Sequence, residues 1–361
     1  MPPLESTDPL NVLITGAAGF IGSQLATRLL SSTSPQYRLL LTDLIPPNTP
    51  PNSAHDDNRV ATLQGDITSP AFVAALLAHP FTQPLHAAFV LHGLMSGHAE
   101  ADPALSLRVN VDSVRLLADA LQDRAERSGV RVRLVYTSSL AVFGPPFPDD
   151  APTTTTTTTT TTCAPPKKIP ERWSPTPQST YGAHKLLSEI YLNEAHRRTA
   201  DGGAGLDVFV ARLPTVAVRP GRPSGAASSF LSGIIREPMN GAECVVPVRD
   251  RAFRAWLASP ATVVENLVRV LEMRSDVLPR HVRQIMFPGV SVSVQELRDA
   301  LARYGGEDKL ALIREEEDEE VGRILKGWAQ DFEIGTALRL GLVRDEGADE
   351  IVRQYVESLG R

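Results

Sequence analysis

The chain has 361 residues with 42% apolar content, and its 36 Lys and Arg stand against 42 Asp and Glu for a formal net charge of −6. That composition suits one large α/β domain or two smaller ones, and it offers no overall basic field to attract nucleic acid or anionic lipid. The apolar runs are far short of a membrane span, the first residues lack a secretory pattern, and Cys163 and Cys244 are too few for a disulfide framework or a structural zinc site. A soluble cytoplasmic protein with neither nucleic-acid nor membrane partners is expected.

In chain order, residues 11–15 (NVLIT) read as a buried strand, followed by a glycine-rich turn and a helix over about 21–32. Further strands are predicted at 38–42 and 60–64, and Ser69 with Pro70 opens a helix as N-cap and first-turn proline. A strand at 86–91, a long amphipathic helix over 103–128, a strand at 131–138, a helix over about 181–199 and a strand at 206–213 complete the alternation. Strict β-α alternation with right-handed crossovers builds a Rossmann-type doubly wound parallel sheet, here assigned to 1–213. From Pro214 the texture changes, and 214–361 reads mainly as a smaller C-terminal substrate-binding lobe, with 260–278 returning a helix to the first domain. The acidic run at 314–320 reads as a solvated helical face. Ten consecutive threonines at 153–162, inside an insert of about 150–168, read as a disordered surface loop.

The segment TGAAGFIG at 15–22 joins the first strand to the first helix. Gly16 permits the tight turn, Gly19 lets a pyrophosphate approach the backbone, and Gly22 allows close helix–strand packing; the helix N-terminus then offers N–H groups to the phosphates. Asp43 lies 21 residues beyond Gly22, where a carboxylate accepts from adenosine ribose hydroxyls and repels a 2′-phosphate, and no arginine follows it. The alternative is an ordinary loop aspartate. Asp66 ends the third strand, where it would reach the adenine or serve as a turn or N-cap residue. Tyr181 and Lys185 are spaced i, i+4, so on a helix both point into one cavity, and a neighbouring cation pulls a phenol pKa down. Taken alone that spacing also describes a surface pair. The serines at 138–139 end the fifth strand at its carboxyl end, where open α/β sheets bind ligands. The eight histidines show no metal-ligand spacing, so each reads as satisfied or exposed and no metal is expected; His184 projects away from the Tyr181–Lys185 face.

In this order and context these residues resemble the extended short-chain dehydrogenases/reductases over nearly the whole chain. Matching elements are TGAAGFIG at 15–22, Asp43, the Gly65-Asp66-Ile67 step, Asn110 with Val111, TSS at 137–139 and YGAHK at 181–185. The resemblance implies Ser139, Tyr181 and Lys185 as catalytic residues, and Gly16, Gly19, Phe20, Ile21, Gly22, Asp43, Asp66, Ile67, Tyr181, Lys185 and Pro214 as the binding site for NAD. Downstream, RLPTVAVRPG at 212–221, AASSF at 226–230, SGIIREP at 232–238 and Trp256 look like the D-erythronate dehydrogenase family, as do Ser96, Gly97, Ala99 and Glu100 on the substrate side. That family oxidises the 2-hydroxyl of a four-carbon sugar acid with NAD. Arg219 and Arg236 are candidates for the substrate carboxylate, with surface ion pairing as the alternative, and Ser96, Ser139 and Ser229 for polar contacts. The sequence departs from the family at 90–93, where VLHG replaces a His-Leu-Ala-Ala run, and in the 42 positions between Ser139 and Tyr181, against about 25 in the family. The threonine tract accounts for the excess. Competing functions on the same scaffold are a nucleotide-sugar epimerase or dehydratase and a non-catalytic NAD sensor. Relatives of this kind pair as homodimers through the helices at 103–128 and 181–199.

Overall fold

The computed structural model describes residues 9–50, 58–145, 147, 168–199, 203–222 and 226–360; the threonine tract and Cys163 lie outside them. The first half alternates as β1 (Leu10–Thr15), α1 (Phe20–Leu30), β2 (Tyr37–Asp43), β3 (Val60–Gln64), α2 (Pro70–Ala78) and β4 (Ala87–Val90). There follow α3 (Ser96–Ala101), α4 (Pro103–Leu107), α5 (Ser113–Ser128), β5 (Val132–Ser139), α6 (Thr180–Arg198) and β6 (Leu206–Leu213). The rest comprises β7 (Thr215–Val216), α7 (Ser229–Met239), β8 (Cys244–Val246), β9 (Arg254–Ala258), α8 (Pro260–Glu272), β10 (Gln284–Met286) and β11 (Val290–Ser293). It ends with α9 (Val294–Gly305), β12 (Ile313–Glu315), α10 (Glu319–Lys326), α11 (Gly335–Arg339) and α12 (Ala348–Ser358).

The main sheet is parallel, with strand order β10-β6-β5-β4-β1-β2-β3. Strand order reverses between β1 and β4, so a crevice opens beyond the carboxyl ends of those two strands. Both faces are covered, and the period of two sorts the side chains between them. Val12, Ile14, Leu39, Leu41 and Phe89 join one core with α1 and α8; Leu13, Leu40, Ala88 and Val90 join the other with α2 and α5. Each buried Leu or Phe contributes about 1.5–3 kcal/mol, which is what holds the alternation in register. Ser69 caps α2 by accepting from the Phe72 N–H, with Pro70 at the first helical position.

Three expectations change. The helix predicted over 103–128 runs without a gap but is not regular: Asp102 caps α4, and one π-turn at Arg108–Asp112 joins it to α5. Side chains take over carbonyls there, Ser113 Oγ donating to the Val109 carbonyl and Ser188 Oγ to that of Asn110. Six parallel strands are predicted, whereas β10 adds a seventh beside β6. The acidic run is not one helical face. Residues 313–315 form β12, which pairs with β8, and Glu315 meets Arg251 at 2.7 Å and Arg298 at 3.3 Å. Arginine partners receive that carboxylate, while Arg314 and residues 316–319 are exposed as expected.

The second lobe has its own apolar core, built from α7, β8, β9, α9 and α12. A smaller cluster of Leu140, Val142, Phe143, Trp256 and Phe332 ties it to the residues just after β5. Among the described residues no helix is long and apolar enough to cross a membrane.

Candidate active site

The turn after β1 packs directly on the loop after β4. Gly16 has φ +70°, and a Cβ there would lie 2.7 Å from the His92 nitrogen; a Cβ on Gly22 would come within 2.4 Å of the Gly16 carbonyl. The start of α1 is therefore held tight against the turn, with Gly19 as its N-cap and Phe20 and Ile21 packed on the core. Asp43 ends β2 beside this turn, accepting from the N–H groups of Ala18 at 3.0 Å and Leu44 at 2.7 Å. Asp66 takes the turn role: its Oδ1 accepts from the Thr68 N–H at 2.9 Å and the Thr68 hydroxyl at 2.8 Å. Ile67 packs on the core, and Pro214 is buried directly after β6.

At the end of β5 the two serines part company, as strand geometry requires. Ser138 Oγ donates to the buried Glu189 at 2.5 Å. Ser139 is partly exposed, accepts from the Ala141 N–H at 3.1 Å and favours the ionised form of the neighbouring Tyr181 phenol. What brings α6 this close is Gly182, where a Cβ would stand 2.0 Å from the Ala141 carbonyl oxygen. One turn on, Lys185 is 4% exposed, donates to the Thr137 carbonyl at 2.8 Å and lies 4.7 Å from the Tyr136 ring centroid and 5.8 Å from that of Tyr181. Tyr181 and Lys185 thus share one buried face.

The electrostatics correct one expectation. Burial pushes the Tyr181 phenol up rather than down, opposed by the Ser139 hydrogen bond and the charge of Arg219. Burial also brings Lys185 down to about 8, against the pull of Glu189. An ammonium that is itself costly to bury does not outweigh desolvation of the phenol.

Four supporting residues carry no functional assignment from their spacing. Asn110, in the π-turn, holds Leu94 by both backbone groups, accepting its N–H at 2.8 Å and donating to its carbonyl at 3.0 Å. Glu100 accepts from the Thr180 N–H at 2.6 Å and hydroxyl at 3.0 Å, fastening α3, which Ser96 opens, to the start of α6. His92 bridges the hydroxyls of Thr15 at 2.7 Å and Ser113 at 2.8 Å, and burial with the nearby Lys185 charge brings its imidazole down to about 3. Glu189 is paired with Arg212 at 2.6 Å. Its i+4 spacing from Lys185 was the available signal. His184 bonds Ser106 at 2.9 Å.

From the second lobe, Arg219 donates through Nε to the Val216 carbonyl at 3.0 Å. Arg236 is not an open substrate contact. It is 3% exposed, paired with Glu237 at 2.6 Å, and donates to the Arg219 carbonyl at 3.0 Å. Ser229 opens α7. Among the described residues no cluster of His, Cys, Asp and Glu could hold a metal ion.

Residues 12–283 match the NAD dependent epimerase/dehydratase family. D-erythronate dehydrogenase of Haemophilus influenzae is 33% identical over 350 residues, covering 96% of this chain and 99% of the relative. That of Cupriavidus necator is 35% identical over 359 residues, covering 97% and 99%. The crystal structure of a nucleoside-diphosphate-sugar epimerase from Agrobacterium tumefaciens superposes with a TM-score of 0.84 at 32% identity, covering 98% of this chain and 95% of that one.

Proposed function

The chain belongs to the NAD dependent epimerase/dehydratase family and is an NAD-dependent oxidoreductase, and from that premise we propose that it oxidises the 2-hydroxyl of a small sugar acid, D-erythronate or a close relative, to the 2-oxo acid. The observation that carries this reading is the buried Tyr181–Lys185 face of α6, laid against the end of β5 at Ser139 by the close approach of Gly182 to Ala141, with Lys185 on the Thr137 carbonyl at 2.8 Å. Full-length similarity to two proteins named for that substrate supports it.

The residues present fit NAD. The glycine turn leaves no side chain between the backbone and a pyrophosphate, and the first N–H groups of α1 supply donors for it. Asp43 would receive the adenosine ribose and repel a 2′-phosphate, with Asp66 and Ile67 toward the adenine; Lys185, Tyr181 and Pro214 would line the nicotinamide end. NAD, when bound, supplies the hydride acceptor for substrate carbon 2. Tyr181, as phenolate, takes the hydroxyl proton while Ser139 donates a hydrogen bond to the reacting oxygen. Lys185 would hold a ribose hydroxyl of the cofactor and favour the phenolate. Arg219 pairs with the substrate carboxylate, which is costly to desolvate without a cation.

Steady-state assays with D-erythronate, D-threonate, a uronic acid and UDP-glucose, each with NAD and with NADP, test this. The expected result is the highest kcat/KM for a four-carbon acid with NAD. Preference for UDP-glucose, or silence with every four-carbon acid, overturns the substrate, and equal use of NADP overturns the role of Asp43.

The same reading includes a homodimer. Leu187 and Ile190, three positions apart on α6, are 48% and 60% exposed, and Leu107 on α4 is 39% exposed, apolar side chains that a second copy of α5 and α6 would cover. Light scattering should report a dimer for the native chain and a monomer for the Leu187→Glu/Ile190→Glu double variant. A native monomer sinks the idea.

A further inference from the structure

We propose that Ser232 and Arg236, one turn apart on α7, are positioning residues that lock Arg219 in place and so set the preference of the site for a carboxylate. The inference rests on the hydroxy-acid reading above.

Arg219 lies in the connection between β7 and α7, where a long side chain would ordinarily have to be ordered on binding. Here its backbone is held on both sides before any ligand arrives. The Arg219 N–H donates to Ser232 Oγ at 3.0 Å, and its carbonyl accepts from Arg236 Nη1 at 3.0 Å. Ser228, a turn before Ser232, places its hydroxyl 3.5 Å from Arg219 Nη2. Positions 228, 232 and 236 fall on one helical face, so a single stripe of α7 meets the backbone N–H, the carbonyl and the guanidinium of one residue. The Nε bond to the Val216 carbonyl fixes the root of the guanidinium as well.

The charges assign distinct roles to the two arginines. Arg236 is buried and its charge is met by Glu237 at 2.6 Å, so it is spent on structure. Arg219 is partly exposed, and its charge reaches Tyr181. A planar carboxylate paired with a guanidinium whose backbone cannot shift is held at a fixed distance from the catalytic phenol; a neutral group of the same shape gains much less from that preorganisation. A lysine at 236 cannot reproduce the fork that reaches both Glu237 and the Arg219 carbonyl.

The test compares D-erythronate with its neutral amide in the native chain and in Ser232→Ala, Ser232→Thr and Arg236→Lys, with NAD saturating and folding checked by circular dichroism. Ser232→Ala and Arg236→Lys should each lower the acid-over-amide ratio of kcat/KM about tenfold, on the scale of one lost hydrogen bond, chiefly through the KM of the acid. Ser232→Thr, which keeps the hydroxyl, should retain the native ratio. An unchanged ratio in folded Ser232→Ala overturns the proposal, as does a Thr variant that behaves like the Ala variant. Should Arg236→Lys not fold, the two Ser232 variants decide alone. If the native chain oxidises no hydroxy acid, the hydroxy-acid reading fails, and calorimetry with 3,4-dihydroxybutyrate, which lacks the reacting hydroxyl, tests the stripe separately. Binding weakened about tenfold by Ser232→Ala then supports it, and equal binding or none overturns it.

Discussion

Tyr181→Phe is expected to lower turnover of the sugar acid about 10³-fold while NAD affinity stays within a few-fold of the native value. The substitution removes one oxygen and leaves the glycine turn, Asp43 and the buried Lys185 untouched. Its cost is the proton acceptor of the proposed reaction. The ring is 9% exposed, so phenylalanine fits the same space, and Ser139 keeps the Ala141 N–H that it already accepts. The chemistry also has a pH signature. Burial raises the phenol while Ser139 and Arg219 lower it, so kcat/KM for oxidation should climb with pH until Tyr181 is ionised. Ser139→Ala should move that limb to higher pH, because it removes a group that favours phenolate. Substantial activity in Tyr181→Phe, or a limb that stays in place in Ser139→Ala, would mean that the proton leaves by another route.

The sequence reveals those parts of the protein whose pattern repeats along the chain, and less of what is made by contacts between distant segments. Strands β1, β2, β4 and β5 are legible because each must be apolar on both faces, and the glycine turn because Gly16 and Gly22 admit no side chain. Strand β10 is three residues long and earns its place only by pairing with β6, so nothing local announces it. The π-turn at 108–112 depends on hydroxyls from Ser188 and Ser113, one of them 78 positions from its acceptor. At the site, Ser139 and Ser138 are distinguishable in sequence only by register; the structure separates them through Glu189 on one side and Tyr181 on the other. Arg236 has the residue type of an anion receptor, and only its burial against Glu237 shows that its charge is already used. The upward push on Tyr181 is likewise a property of burial, which an i, i+4 spacing does not measure.

Lys185→Met should abolish detectable turnover and, at pH 7, make the ligand-free protein more stable. The ammonium is 4% exposed and burial brings it from 10.5 to about 8, a penalty on the order of 3 kcal/mol for holding the charge at neutral pH. Methionine fills similar volume without that penalty but gives up the bond to the Thr137 carbonyl, worth roughly 1 kcal/mol. The net gain is about 1–2 kcal/mol, a rise of a few degrees in Tm. Its pH dependence follows from the direction of the shift. Below pH 8 both folded and unfolded native chains are protonated at this lysine, and the full penalty applies. Between about 8 and 10.5 the unfolded chain keeps a proton that the folded one has released, so the native protein gains stability as pH rises through that window. The variant lacks this group, so its advantage should shrink from pH 8 upward, vanish inside the window and reverse before its upper end. Glu189 retains Arg212 at 2.6 Å, so removing the lysine leaves no unpaired buried carboxylate to reverse the sign. Melting curves of both proteins from pH 6 to 10.5 decide the matter. A difference that does not change with pH would show that Lys185 keeps its proton in the folded chain at no burial cost. One that already shrinks below pH 8 would show that it is neutral there, and with it would fall the ammonium that favours the Tyr181 phenolate. The expected change inside the window shows a charge held at a cost. A lysine kept there against its own burial cost is then explained by what it does for the reaction.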